Sequence, residues 1–196
     1  TGGMGAISPA PALNQNLNKE IFNNIILPTI NGMKLEGNPY EGILYAGVMI
    51  TNKGPKLIEF NCRFGDPETQ VVLPRLNTDL VSIVQKTIKK NLKEMSIDFI
   101  PQNAITVVIA SKGYPGEFEK GVLLPPLKNF DNEIDISVFH SGTSKDKNGK
   151  LISNGGRVLS ITSIGVNVKD CRQKAYNIVE ALNWDKGFYR RDIGKL

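Results

Sequence analysis

Three short apolar runs, Ile105 to Ala110, Ile134 to Phe139 and Val158 to Thr162, are followed by one long amphipathic helical pattern from about Val168 to Leu182. Val168, Cys171, Ala175, Ile178, Val179 and Leu182 fall on one helical face, and Asn167 and Asp170 suit the helix start. A helix with a single apolar stripe has to lay that stripe on a partner, and the strand-like runs supply it. Residues 104–196 are therefore expected to form a small strand-rich domain closed by a helix. The texture changes near Pro101-Gln102-Asn103, which places a boundary at about residue 103.

The first part, residues 1–103, opens on a loop signal with three glycines, Pro9 and Pro11. Leu17, Ile21 and Ile25 then lie four apart, as on one helical face, before Pro28 interrupts the pattern. Ile43 to Ile50 and Lys56 to Asn61 read as two strands, and Thr51-Asn52-Lys53-Gly54-Pro55 carries hairpin-turn chemistry. A further helix is expected from about Thr78 to Leu92, capped by Thr78 or Asp79. The fold class expected for the chain is α+β in two parts.

Composition excludes several function classes. The 196 residues are 40% hydrophobic and 22% charged, as in a globular protein. The net charge of +5 is spread along the chain, with no basic block of the kind that nucleic-acid arms carry. No apolar run approaches the roughly 18–20 residues of a membrane span. Cys62 and Cys171 are too few for a disulfide framework and are expected as ordinary buried thiols in a reducing compartment. A single histidine, His140, leaves no His–His metal site and reads as a hydrogen-bonded structural residue. The chain begins at Thr rather than Met, without a signal peptide, so a start inside a longer protein is expected.

The segment Ile58-Glu59-Phe60-Asn61-Cys62-Arg63-Phe64-Gly65-Asp66-Pro67-Glu68-Thr69 carries the chemistry. Alternate residues of a strand share a face, so Glu59 and Asn61 point one way and Phe60 points into the core. A carboxylate beside an amide oxygen suits a hard cation that keeps waters and binds phosphate oxygens. If the chain stays extended, Arg63 joins them and can clamp a transferring phosphoryl group. Pro67 stiffens the turn between Asp66 and Glu68, two acids at a strand end. The same string also fits a surface strand paired to a lysine, followed by a helix-capping turn.

The segment resembles the signature of the glycinamide ribonucleotide synthetase (phosphoribosylamine–glycine ligase) family. Thr1-Gly2-Gly3-Met4-Gly5 and the following Ser8-Pro9-Ala10-Pro11 resemble that family's glycine-rich loop. Tyr45-Ala46-Gly47, Gly113-Tyr114-Pro115-Gly116, Phe139-His140, Gly142-Thr143, Asn154-Gly155-Gly156-Arg157-Val158-Leu159 and Arg191-Asp192-Ile193-Gly194 follow in the family's order over nearly the whole chain. The resemblance is to the family's second half. It implies the C-terminal part of an ATP-grasp domain in residues 1–103 and the ligase's C-terminal domain in 104–196. It implies that ATP phosphorylates glycine and that 5-phosphoribosylamine attacks the glycyl phosphate, giving glycinamide ribonucleotide, ADP and phosphate in purine synthesis in the cytoplasm. Mg²⁺ or Mn²⁺ would sit on Glu59 and Asn61, and Arg63 would stabilise the acyl phosphate. Thr1, Gly2, Gly3, Met4, Gly5, Asp66, Pro67, Glu68 and Arg157 would bind substrate, Asp66 and Glu68 as candidates for an amino group and Arg157 near the phosphoribosyl group. The partner expected is the N-terminal half of the same enzyme, without nucleic acid or membrane, and little turnover is expected from this chain alone. The alternative is a non-catalytic module that binds a small anion or a partner protein.

Overall fold

The computed structural model describes residues 2–127, 130 and 133–195. Thr1, assigned above to the glycine loop, lies outside them. The described chain divides into two compact units. One comprises residues 1–9, 66–75 and 100–196, and the other residues 10–65 and 76–99. The division is not a single cut near residue 103. The reason is strand pairing, since the first strand and the segment after Gly65 both pack with the later residues.

In the first unit, β1 (Gly5–Ser8), β4 (Asn103–Ser111), β8 (Arg157–Gly165) and β5 (Ile136–His140) lie side by side in that order, every pair antiparallel. The two-residue β9 (Gly187–Phe188) pairs with Ala110 and Ser111, beyond Val107, which faces the first residue of β1. The central strand β4 is buried on both faces, which is why its sequence is apolar without alternation. Ile105, Val107 and Ile109 join Leu159 and Ile161 against α5 (Val168–Leu182), whose Cys171, Ala175, Ile178, Val179 and Leu182 complete one core. The opposite face of β4 carries Thr106, Val108 and Ala110, and Met4 packs on the last two. A short helix, α3 (Thr69–Val72), packs on β1 and β4 with Val71 buried. The sequence there reads as a charged loop, and four residues are too few to show a period.

Buried hydroxyls on this sheet are mostly paired. Thr162 donates to Thr106 directly across the strands at 2.8 Å, and Ser163 donates to the Cys171 carbonyl at 2.6 Å. The expected cap of α5 is present, with the Asn167 side chain accepting from the Asp170 amide at 2.9 Å. β6 (Thr143–Lys145) and β7 (Leu151–Ser153) form a hairpin whose tip, Asp146 to Lys150, is largely exposed. His140 is exposed and its Nδ1 lies 3.0 Å from Thr143 Oγ1, in keeping with a structural role. Trp184 donates to the Leu123 carbonyl at 3.1 Å and Tyr189 packs on the core, so both anchor the terminus.

In the second unit, the apolar pattern around Pro28 forms α1 (Gln15–Ile21), a π-helical stretch at Phe22–Ile26, and α2 (Leu27–Leu35), with Pro28 in the first turn of α2. β2 (Tyr45–Thr51) and β3 (Gly54–Asn61) make the expected hairpin. Several of its apolar side chains, Met49, Ile50, Leu57 and Ile58, are exposed. The last helix, α4 (Leu80–Ile88), is shorter than the expected span to Leu92, and Asp79 caps it by accepting from the Ser82 amide at 2.7 Å. Among the described residues no helix is long and apolar enough to cross a membrane.

The two cysteines differ, which corrects the expectation that both are buried. Cys171 is buried and Cys62 is exposed. Desolvation, reinforced by the Asp170 carboxylate, pushes the Cys171 thiol up to about 11. A maleimide reagent at pH 7.5 is therefore expected to add once per native chain, at Cys62, and a second time only after unfolding. Intact-mass spectrometry reads this directly, and rapid double labelling of the native chain would contradict it.

Candidate functional site

Glu59 and Asn61 close strand β3, and the strand pleat places them on one side, as expected. Asn61 Nδ2 donates to Glu59 Oε1 at 3.1 Å, and this contact is exposed. The register explains part of the arrangement. Gly47 of β2 pairs with Glu59, and the next pair is Val48 with Leu57, so Ile58 is an extra residue in β3. A Cβ at Gly47 would lie 3.2 Å from Glu59 Cγ, so glycine there leaves the Glu59 stem room to lie across the partner strand. Phe60 points the other way, half-buried, and lines a small apolar pocket of about 130 Å³ with Thr29, Ile30, Met33, Tyr40, Leu44 and Cys62.

The donor set fits a hard divalent cation. One carboxylate and one amide oxygen supply two ligands, and the described residues hold no cluster of three His, Cys, Asp or Glu. A cation bound there would fill its remaining positions with water and phosphate oxygens, as Mg²⁺ does. Arg63 does not share the line of Glu59 and Asn61. The strand ends at Asn61, the chain bends at Cys62 and Arg63, and Arg63 Nη1 donates to the neighbouring Phe64 carbonyl at 2.8 Å. The expectation that Arg63 stands beside them held only for an extended chain, and the bend removes that premise.

In the other unit, residues far apart in sequence meet around one guanidinium. Arg157 stands at the start of β8, opposite Ala110. Its Nη1 donates to the Asp66 carbonyl at 2.8 Å and to the Gly3 carbonyl at 3.2 Å, and its Nη2 bonds Asp66 Oδ2 at 2.9 Å. The second Asp66 oxygen accepts from Gln70 Nε2 at 2.9 Å. The glycine loop, the Asp66 turn and the Asn154-Gly155-Gly156-Arg157 turn are therefore one cluster. Gly3 has φ +72°, which favours glycine, and a Cβ there would lie 2.8 Å from Arg157 Nη1 and push the guanidinium aside.

Three of the residues assigned to binding, Met4, Gly5 and Pro67, sit in packed positions. Met4 is buried against Val108 and Ala110, and its carbonyl accepts from the Val108 amide at 3.1 Å. Gly5 begins β1, where a Cβ would meet Ile193 Cγ1 and the Thr106 carbonyl at 2.8 Å. Pro67 is fully buried, so its ring fills the interior behind the turn. Gly2 is exposed and Glu68 is half-buried beside α3.

Two residues that the sequence reading left without a role belong to this framework. Gln70 lies four residues after Asp66, one helical turn on, and that spacing was the available signal. Arg75 donates to the carbonyls of Gln102 at 2.6 Å and Ile100 at 3.1 Å and to Ser8 Oγ at 2.7 Å, which ties β1 to the start of β4. Burial lowers the Arg75 pKa. Nothing in its local sequence marks that role, because all three partners are distant along the chain.

Residues 1–69 match the family model described as phosphoribosylglycinamide synthetase, ATP-grasp (A) domain, and residues 104–196 match the C domain of the same synthetase. Among curated proteins, the phosphoribosylamine–glycine ligase of Agrobacterium fabrum is 46% identical over 194 residues, covering 99% of this chain and 45% of the relative. The chloroplastic ligase of Arabidopsis thaliana is 45% identical and is covered over 37% of its length. The trifunctional purine biosynthetic protein adenosine-3 of Gallus gallus is 47% identical and is covered over 19%. The chain thus spans less than half the length of these relatives. The crystal structure of the Thermotoga maritima phosphoribosylamine–glycine ligase superposes with a TM-score of 0.81 at 33% identity, covering 97% of this chain and 46% of that one. A biotin carboxylase domain from Hydrogenobacter thermophilus shares the fold at 15% identity, with a TM-score of 0.65.

Proposed function

Because the chain belongs to the phosphoribosylglycinamide synthetase family, whose ATP-grasp and C-domain models it matches in turn, we propose that it serves an ATP-dependent ligase joining glycine to 5-phosphoribosylamine, with glycinamide ribonucleotide, ADP and phosphate as products. The observation that carries this reading is the exposed Glu59–Asn61 pair at the end of β3, within the segment that matches the ATP-grasp domain. We take the sequence boundary near residue 103 as the join between the two family segments, although compact packing crosses it.

In this proposal Glu59 and Asn61 hold Mg²⁺ or Mn²⁺, which when bound offsets the negative charge of nucleotide phosphate oxygens. In the observed pose Asn61 turns its amide N–H₂ toward Glu59, so presenting both oxygens to one cation requires the Asn61 amide to flip and give up that hydrogen bond, a side-chain rotation that leaves the strand in place. Arg63 reaches the acyl phosphate after exchanging its local contact with the Phe64 carbonyl for the phosphoryl oxygens. The glycine loop from Thr1 to Gly5, the Asp66-Pro67-Glu68 turn and Arg157 form the substrate-recognition part. Within it Gly2 and Gly3 offer backbone to an anionic group. Glu68 offers a carboxylate to a substrate amine, while Met4, Gly5 and Pro67 hold the loop and turn from behind. The reaction is a step of purine synthesis, in keeping with the printed name of the Gallus gallus relative, and a cytoplasmic setting suits the two unpaired thiols.

The test is a chimera in which this chain replaces the segment it matches in the Agrobacterium fabrum ligase. Release of ADP that requires both glycine and phosphoribosylamine is the expected result. A chimera that binds MgATP but releases no ADP with both substrates would refute the assignment.

A further inference from the structure

We propose that Arg157 and Asp66 act as a single positioning pair, with Gln70 as its brace, that sets the backbone of the glycine loop. They do not act as two separate contacts to substrate. The inference deepens the ligase reading and rests on it for the loop's role in catalysis.

The geometry shows a closed circuit. The Arg157 fork spends Nη1 on two carbonyls, those of Asp66 and Gly3, and Nη2 on the Asp66 carboxylate. The rigid planar fork serves all three acceptors from one position in fixed directions, which a lysine ammonium on its flexible stem does not reproduce. Asp66 has both carboxylate oxygens engaged, one by Arg157 and one by Gln70. A carboxylate so committed holds neighbours in place, and an incoming amine would have to share an oxygen that Arg157 or Gln70 already engages. The partners of Arg157 lie 154 and 91 residues away in sequence, so the contact joins three separate segments at one point.

Two further observations show that this circuit dictates its surroundings. Gln70 Oε1 is buried and has no hydrogen-bond partner among the described residues. Turning the amide over would aim that oxygen at the Asp66 carboxylate, so the orphaned acceptor persists because the amide must donate to Asp66. Gly3 adopts φ +72°, and Arg157 Nη1 lies 2.8 Å from where its Cβ would be. The loop backbone and the guanidinium therefore specify each other. The side chains of Arg157 and Asp66 are 26% and 42% accessible, and an ion pair so exposed contributes modestly to stability. Its effect is on the shape of the loop.

The test has two arms. In the 196-residue chain, Arg157→Lys, Asp66→Asn and Gly3→Ala should each speed amide hydrogen exchange in residues 2–5, read by mass spectrometry of the N-terminal peptide. Gly3→Ala is the positive control, because alanine at φ +72° strains the loop directly, and the Arg157 and Asp66 variants carry the decision. In the active chimera, Arg157→Lys and Asp66→Asn should each lower kcat/KM for phosphoribosylamine on the order of 10²-fold, with KM for ATP within about twofold of the parent. The double variant should be no worse than the poorer single one, as expected of residues acting as one unit. Multiplicative losses with unchanged loop exchange would overturn the proposal and make the two residues independent substrate ligands. An inactive parent chimera would refute the ligase reading instead, and the exchange arm would still decide whether the pair sets the loop.

Discussion

In the chimera that tests the ligase assignment, Glu59→Ala is expected to lower kcat for ADP release by about 10²–10³-fold at saturating ATP and glycine, the loss usual when a preorganised charge-stabilising group is removed. The half-saturating Mg²⁺ concentration should rise in parallel, because one of the two protein oxygens that suit the cation is gone. Glu59→Gln separates charge from shape. It can still accept from Asn61 Nδ2 but offers no negative charge, so a loss close to that of Glu59→Ala would assign the effect to charge on the cation. Asn61→Ala should fall in the same direction and show the same Mg²⁺ dependence. Initial-rate assays over a Mg²⁺ titration check all three variants. Wild-type turnover and unaltered Mg²⁺ dependence in both alanine variants would remove the metal assignment.

Ile161→Ala is expected to destabilise the unit built on β4 and β8 by about 2–5 kcal/mol, the range for truncating a fully buried aliphatic side chain. Ile161 has no exposed surface and lies on the face of β8 that packs against α5 with Ile105, Val107 and Val179. The loss combines lost transfer of the side chain from water with the cavity left behind, and a sheet held on both sides has little freedom to collapse into it. The urea midpoint should fall by about 1 M or more. Ile134→Ala is the control. Ile134 is fully exposed, and its truncation should move stability by no more than about 0.5 kcal/mol. Equal midpoints for the two variants would show that β8 is not central to the core.

The elements that sequence identified well are those whose information is local. The α5 stripe and its Asn167 cap, and the β2–β3 hairpin and its glycine turn, each depend on neighbours a few residues away. The facing of Glu59 and Asn61 belongs to the same class. It follows from the two-residue period of a strand, whichever strand lies beside it. What misled was also local. Arg63 continues the same alternation on paper, yet the strand ends two residues earlier and the side chain turns to Phe64. The helix expected to reach Leu92 stops at Ile88, and Asp66 to Val72 gave too short a pattern to reveal α3.

Sequence by itself determined the family, the α+β class, the amphipathic closing helix and the pairing of an acid with an amide on one strand face. Periodicity and motif order are properties of the chain alone. Tertiary structure decided which residues of the signature touch each other and which merely pack. It turned Met4 and Pro67 inward, joined β1 to β4 across about a hundred residues of chain, and placed Arg157 between Gly3 and Asp66. Those outcomes depend on the antiparallel register of β4 with β1 and β8, since a one-residue slip would carry Arg157 to the other face of the sheet. No stretch of neighbouring residues contains that register, because it is set by burying both faces of β4 at once.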